Sequence, residues 1–105
     1  MNLTERQPFT PGEILKEEFL EPLGLTQGEL ADMIDVARRR VNEIIRGKRE
    51  ITPDTALRLE KAFEVSAEFW LNLQAKYDLW RVQQEKKKEY QRIKPVRSVK
   101  KLSIG

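Results

Sequence analysis

"TQGELADMIDVARRRVNEIIRGKR", residues 26–49, is the stretch on which the reading of this chain turns. Thr26 and Glu29 stand three apart, the spacing at which an N-cap hydroxyl and a carboxylate satisfy each other's backbone N–H groups. A helix therefore begins at Gln27 and ends near Ile34. Further on, Val41, Ile44 and Ile45 recur at i, i+3 and i+4 and share one helical face, while Arg39, Asn42, Glu43 and Arg46 occupy the other. Three adjacent arginines, Arg38, Arg39 and Arg40, open that second helix. They repel one another and oppose the positive end of the helix dipole, so their placement costs stability unless an anion answers it.

Two short helices over 27–34 and 37–46, joined by a tight turn, have the length and spacing of a helix-turn-helix. Gln27 opens the first, Ala31 is small where the helices approach, and Val36, Val41 and Ile44 are apolar toward a core. Asp35 stands where such turns usually carry Gly, at a position needing positive φ that Asp tolerates imperfectly. Ala37 has no side-chain oxygen to cap the second helix, which leaves its first N–H groups available to a phosphate. With that helix in a major groove, Arg38 and Arg39 reach guanine O6 and N7, and Asn42 and Glu43 face adenine or the cytosine amino group. Arg40 lies off that face and is assigned to the DNA backbone. Gln27, Arg46, Lys48 and Arg49 stand at helix or loop ends and are assigned to phosphates. The competing reading of Arg39 and Glu43 is a plain surface ion pair at i, i+4.

Outside this stretch, Thr10-Pro11-Gly12-Glu13 starts a helix that should stop near Glu21, before Pro22 and Gly24. Thr52-Pro53-Asp54 and Ser66-Ala67-Glu68 start two more. No strand pattern competes, so the expectation is an all-α, five-helix protein. Phe69, Trp70, Leu73, Tyr77 and Trp80 keep helical spacing in an extended C-terminal helix and are expected in the core or a dimer contact. One domain over 1–94 and a flexible basic tail over 95–105, fraying after Pro95, complete the organisation.

A chain of 105 residues has room for one small core and no large active-site cavity. Net charge is only +3, yet residues 38–49 hold six positive side chains against Glu43 alone, and local clustering is what a polyanion senses. No cysteine means no disulfide or thiolate chemistry, and no histidine removes the commonest general base and metal ligand. Neither enzyme activity nor a cofactor or metal is expected. The N-terminus lacks a signal-peptide pattern, and no apolar run approaches the roughly 20 residues that span a bilayer. A cytoplasmic protein with no membrane partner follows as the expectation.

The run "PFTPGEILKEEFLEPLGLTQGELADMIDVARRRVNEIIRGKREITPDTALRLEKAFEVSAEFWLNLQAKYDLW", residues 8–80, resembles the HigA (VapI-like) antitoxins within the phage-repressor class of helix-turn-helix proteins. Its most specific parts are "PGEILKEEFLEPLGLTQ", "GKREITPDTALRL" and "EFWLNLQAKYDLW". The resemblance implies a five-helix bundle, a homodimer on a palindromic operator of its own operon, and neutralisation of a HigB-type ribonuclease toxin. It places DNA readers at Arg38, Arg39, Asn42 and Glu43, and phosphate contacts at Gln27, Arg46 and Lys48. It does not place the toxin surface. A ribonuclease that binds RNA is expected to be basic, which favours the acidic stretch carrying Glu13, Glu17, Glu18 and Glu21, or the chain ends. The alternative function is a stand-alone transcriptional regulator without a toxin.

Overall fold

The computed structural model describes residues 6–99, and these form only helices and the turns between them. Helix α1 spans residues 11–23. It opens as an α-helical turn at Pro11–Ile14, widens into a π-helix at Leu15–Leu20 and closes as a turn at Glu21–Leu23. Thr10 and Glu13 make the capping box read from the sequence, with Glu13 N–H donating to Thr10 Oγ1 at 3.1 Å. The helix passes through Pro22 and does not stop at Glu21. In the wider π register Glu21 N–H reaches the carbonyl of Lys16, and the shift relieves the clash a proline ring makes with an α-helical backbone. Gly24, at φ 66°, then ends the helix: its N–H returns to Glu21 and that of Leu25 to Leu20.

Helix α2 is Gln27–Ile34, α3 Arg38–Ile45, α4 Pro53–Phe63 and α5 Ala67–Glu85. Thr26, Thr52 and Ser66 cap α2, α4 and α5 through their hydroxyls, as their sequence positions imply. Two short helices follow, α6 at Lys87–Gln91 and α7 at Val96–Val99. The expected basic tail thus includes one helical turn after Pro95, and its remainder, 100–105, lies outside the described residues.

The core is built from every one of the five longer helices: Leu15 and Leu20 from α1, Leu30, Ala31 and Ile34 from α2, Val41 and Ile44 from α3, Ala56 and Leu59 from α4, and Trp70 from α5. Helix α3 is wedged between α2 and the start of α1. The approach to α1 is so close that a Cβ on Gly12 would lie 2.9 Å from both Ile44 C and Ile45 Cα. Only hydrogen fits there. Trp70, fully buried, anchors an aromatic cluster: its ring centroid lies 4.8 Å from that of Phe19 on the π segment and 5.1 Å from that of Phe69, and Phe63 sits 4.9 Å from Phe19. Beyond this cluster α5 runs on past the core, which gives the described chain its 58 × 28 × 22 Å shape.

Because the backbone of α1 meets that of α3 at Gly12, Gly12→Ala should force the two helices apart and cost about 1–3 kcal/mol. Thermal and urea melts of the variant against the parent check this, with the retained helical signal confirming that the fold survives.

Candidate nucleic-acid interface

The turn between α2 and α3 is held by backbone geometry and by one distant side chain. Asp35 takes the left-handed conformation the sequence position demands, at φ 56°. Its N–H donates to Asp32 O, and Val36 N–H donates to Ala31 O at 3.0 Å, so the last carbonyls of α2 are satisfied inside the turn. Arg58 of α4 supplies the rest: its guanidinium donates to the carbonyls of Ile34 at 2.8 Å and Asp35 at 3.2 Å. A cation at a helix C-terminus also meets the negative end of its dipole. Sequence reasoning missed Arg58, whose only local signal is an i, i+4 partner, Asp54.

Helix α3 begins without a side-chain cap, since Ala37 offers none. It ends where Gly47, at φ 72°, turns the chain: Gly47 N–H donates to Ile44 O, and Lys48 N–H to Glu43 O at 2.7 Å. Val41 and Ile44 are buried beneath, and the polar face of the helix is left to solvent.

The three adjacent arginines leave in three directions. Arg38 lies across the start of α2, where a Cβ on Gly28 would touch its Nε at 3.5 Å. Arg39 Nε donates to Glu43 Oε2 at 3.0 Å, and Arg40 donates to Asp54 Oδ2 at 3.2 Å. Asn42 Nδ2 donates to Gln27 Oε1 at 3.0 Å, joining the first residue of α2 to the middle of α3. Gln27, Arg38, Arg39 and Asn42 together line a shallow, open depression of about 620 Å³. Arg46, Lys48 and Arg49 sit at the exposed far end of α3 and the loop after it, where Arg49 turns back to Glu43 Oε1 at 2.8 Å.

The two carboxylates paired with arginines of this island stay ionised. Hydrogen bonds from Arg49 and then Arg39 hold the Glu43 carboxyl below the usual carboxylate range, and Arg58, with a lesser contribution from Arg40, does the same for Asp54. Among the described residues no group of three His, Cys, Asp or Glu side chains could hold a metal ion. No helix there is long and apolar enough to cross a membrane.

Two stacked short helices that present an uncapped, arginine-rich helix end to solvent define a DNA-binding helix-turn-helix protein. The helix-turn-helix family profile matches residues 16–70. Virulence-associated protein I of Dichelobacter nodosus is 51% identical over 82 residues, 78% of this chain and 76% of that protein. Antitoxin HigA-1 of Vibrio cholerae is 40% identical over 96 residues, 91% of this chain and 90% of that one. The solved structure of the Pseudomonas aeruginosa antitoxin HigA with the higBA promoter superposes with a TM-score of 0.82 at 39% identity, covering 85% of this chain and 98% of that one. The chain belongs to the helix-turn-helix family, in its HigA-like antitoxin branch. The all-α, phage-repressor-like expectation and the non-enzymatic reading agree with that membership.

Glu43 and Asp54 titrate lower in the folded chain than in the unfolded one, so the unfolded state binds more protons as pH falls. Their contribution to stability is present above the usual carboxylate range and is lost as pH drops through their lowered values. Melting temperature should therefore fall below about pH 4, and the fall should be shallower in the Glu43→Gln, Asp54→Asn double variant, as differential scanning calorimetry across pH would record.

Proposed function

We propose that this protein is a cytoplasmic antitoxin that neutralises a HigB-type ribonuclease toxin and, as a homodimer, represses its own operon by binding a palindromic operator. The observation that carries the DNA half of this reading is the single solvent-facing surface on which Gln27, Arg38, Arg39 and Asn42 converge at the open N-terminal end of α3. Arg38 and Arg39 have the reach and planar donor pairs to engage guanine edges, and Asn42 fits adenine. Gln27, Arg40, Arg46, Lys48 and Arg49 surround them and supply backbone contacts that set register without reading sequence.

The dimer follows from contact number. One α3 offers too few contacts for tight specific binding, and a two-fold dimer doubles them on half-sites about 34–36 Å apart or a multiple of that. Helix α5, exposing Leu79 beyond the core, supplies the surface for this pairing.

Support for the toxin half comes from the antitoxin relatives and from charge separation within the chain. The basic island is committed to an anionic groove, whereas Glu17, Glu18 and Glu21 lie exposed on α1, where a basic ribonuclease would meet opposite charge.

Two outcomes test this function. Arg39→Ala should cost about 1–3 kcal/mol on the operator and little on random DNA, whereas Lys48→Ala should weaken both and flatten the salt dependence by about one unit. Titrations by fluorescence anisotropy at several salt concentrations measure both, and equal losses on the two DNAs for Arg39→Ala would remove it from the readers. In a growth assay with the neighbouring toxin gene coexpressed, Arg38→Ala with Arg39→Ala should abolish operator binding and still rescue growth. Failure of that folded variant to rescue would mean that toxin and DNA share a surface.

A further inference from the structure

We propose that Glu43 is a positioning residue rather than a base reader: its carboxylate aims Arg39 into the groove and couples that reader to Arg49 in the loop after α3. The inference rests on the DNA-reading function proposed above. Glu43 and Arg39 stand one turn apart on the exposed face of α3, so either could be taken for a reader from spacing alone.

Their environments separate them. Both carboxylate oxygens of Glu43 are engaged by guanidinium groups, Oε2 by Arg39 Nε at 3.0 Å and Oε1 by Arg49 Nε at 2.9 Å and by its terminal nitrogen at 2.8 Å. The side chain of Glu43 is 24% exposed, while that of Arg39 is 84% exposed. The carboxylate is thus the sheltered base of the pair and the guanidinium its outward end.

The atoms used matter as much as the exposure. Arg39 donates to Glu43 through Nε, which leaves its terminal N–H groups for the two acceptors on a guanine edge. An arginine held at Nε has fewer rotamers to lose when it binds, so more of its contact energy appears as affinity. A carboxylate turned outward would instead meet the phosphates as a like charge. Clamped between two arginines it is neutralised locally, and the hydrogen bonds that clamp it also keep it ionised. Arg49, fixed to the other oxygen, ties the loop Gly47–Arg49 to the same carboxylate, so a phosphate contact in the loop and a base contact on the helix share one anchor.

A double-mutant cycle tests this on the tightest duplex recovered from a randomised DNA pool. In the parent background Arg39→Ala should weaken binding about 5–150-fold, the value of a bidentate base contact. In the Glu43→Gln background the same change should cost under about threefold, because Arg39 is no longer held. Arg49→Ala should likewise shrink the cost of Arg39→Ala, although Arg49 is assigned to the DNA backbone and not to a base. An Arg39→Ala loss that is equal in all three backgrounds would overturn the clamp. So would a Glu43→Gln variant that relaxes preference at a base pair other than the one governed by Arg39, since that would make Glu43 a reader in its own right. If Arg39→Ala has no effect even in the parent, it is the DNA-reading assignment that fails, a result distinct from failure of the clamp.

Discussion

The guanidinium of Arg58 is the point on which the interface depends. From α4 it reaches the two carbonyls at the end of α2, and through Nε it holds Asp54, which in turn receives Arg40 from α3. One charge therefore joins the end of α2, the start of α3 and the start of α4. A helix-turn-helix works only if its second helix leaves the turn at a fixed angle, and the weak element here is an Asp in the left-handed conformation where Gly would be unstrained. Arg58 compensates by hydrogen-bonding the carbonyl of that same residue. Hydrogen bonds from a charged donor are worth more than neutral ones, which suits them to holding a strained turn.

The opposite flank of α3 is held by contact alone. Gly12 brings α1 against the backbone at Ile44 and Ile45, so the end of the recognition helix rests on main chain and not on flexible side chains. Behind that contact the π segment of α1 carries Phe19 into the cluster with Phe63 and Trp70. The indole N–H of Trp70 is buried with no hydrogen-bond acceptor among the described residues, a cost offset by burying the whole ring among aromatic neighbours. Helix α3 is therefore seated on close-packed structure, the main-chain contact at Gly12 with the aromatic cluster behind it.

What the sequence disclosed follows from how local each signal is. The caps at Thr10, Thr26, Thr52 and Ser66, the burial of Val41 and Ile44, and the positive φ of Asp35 rest on residues within one or two turns of each other, and all stand in the structure as read. The grouping of Arg38, Arg39 and Asn42 was legible for the same reason, because helical phase fixes it, whereas Gln27, read as a separate phosphate contact, joins them through Asn42. Three features were not. The π register shifts each bond by one residue without any composition to mark it, so Pro22 reads as a stop when it is a tolerated member of the last turn. Arg58 acts on carbonyls 23 and 24 residues away, beyond the reach of any periodicity. Gly12 looks like a bystander in a capping box, and its purpose appears only when α3 is folded onto it.

The three arginines raised the question of how like charges are tolerated at the positive end of a helix. The structure answers it unequally. Arg40 is answered by Asp54 and Arg39 by Glu43, each carboxylate shared with a further arginine, whereas no ion pair among the described residues involves Arg38. Arg38 instead lies over Gly28, at the beginning of α2 and beside the uncapped first turn of α3. Two helix N-termini and an uncompensated guanidinium meet there, and each of the three attracts the same class of ligand. Arg39 and Arg40 are thus matched by carboxylates within the fold, while Arg38 is exposed and its charge is met by solvent.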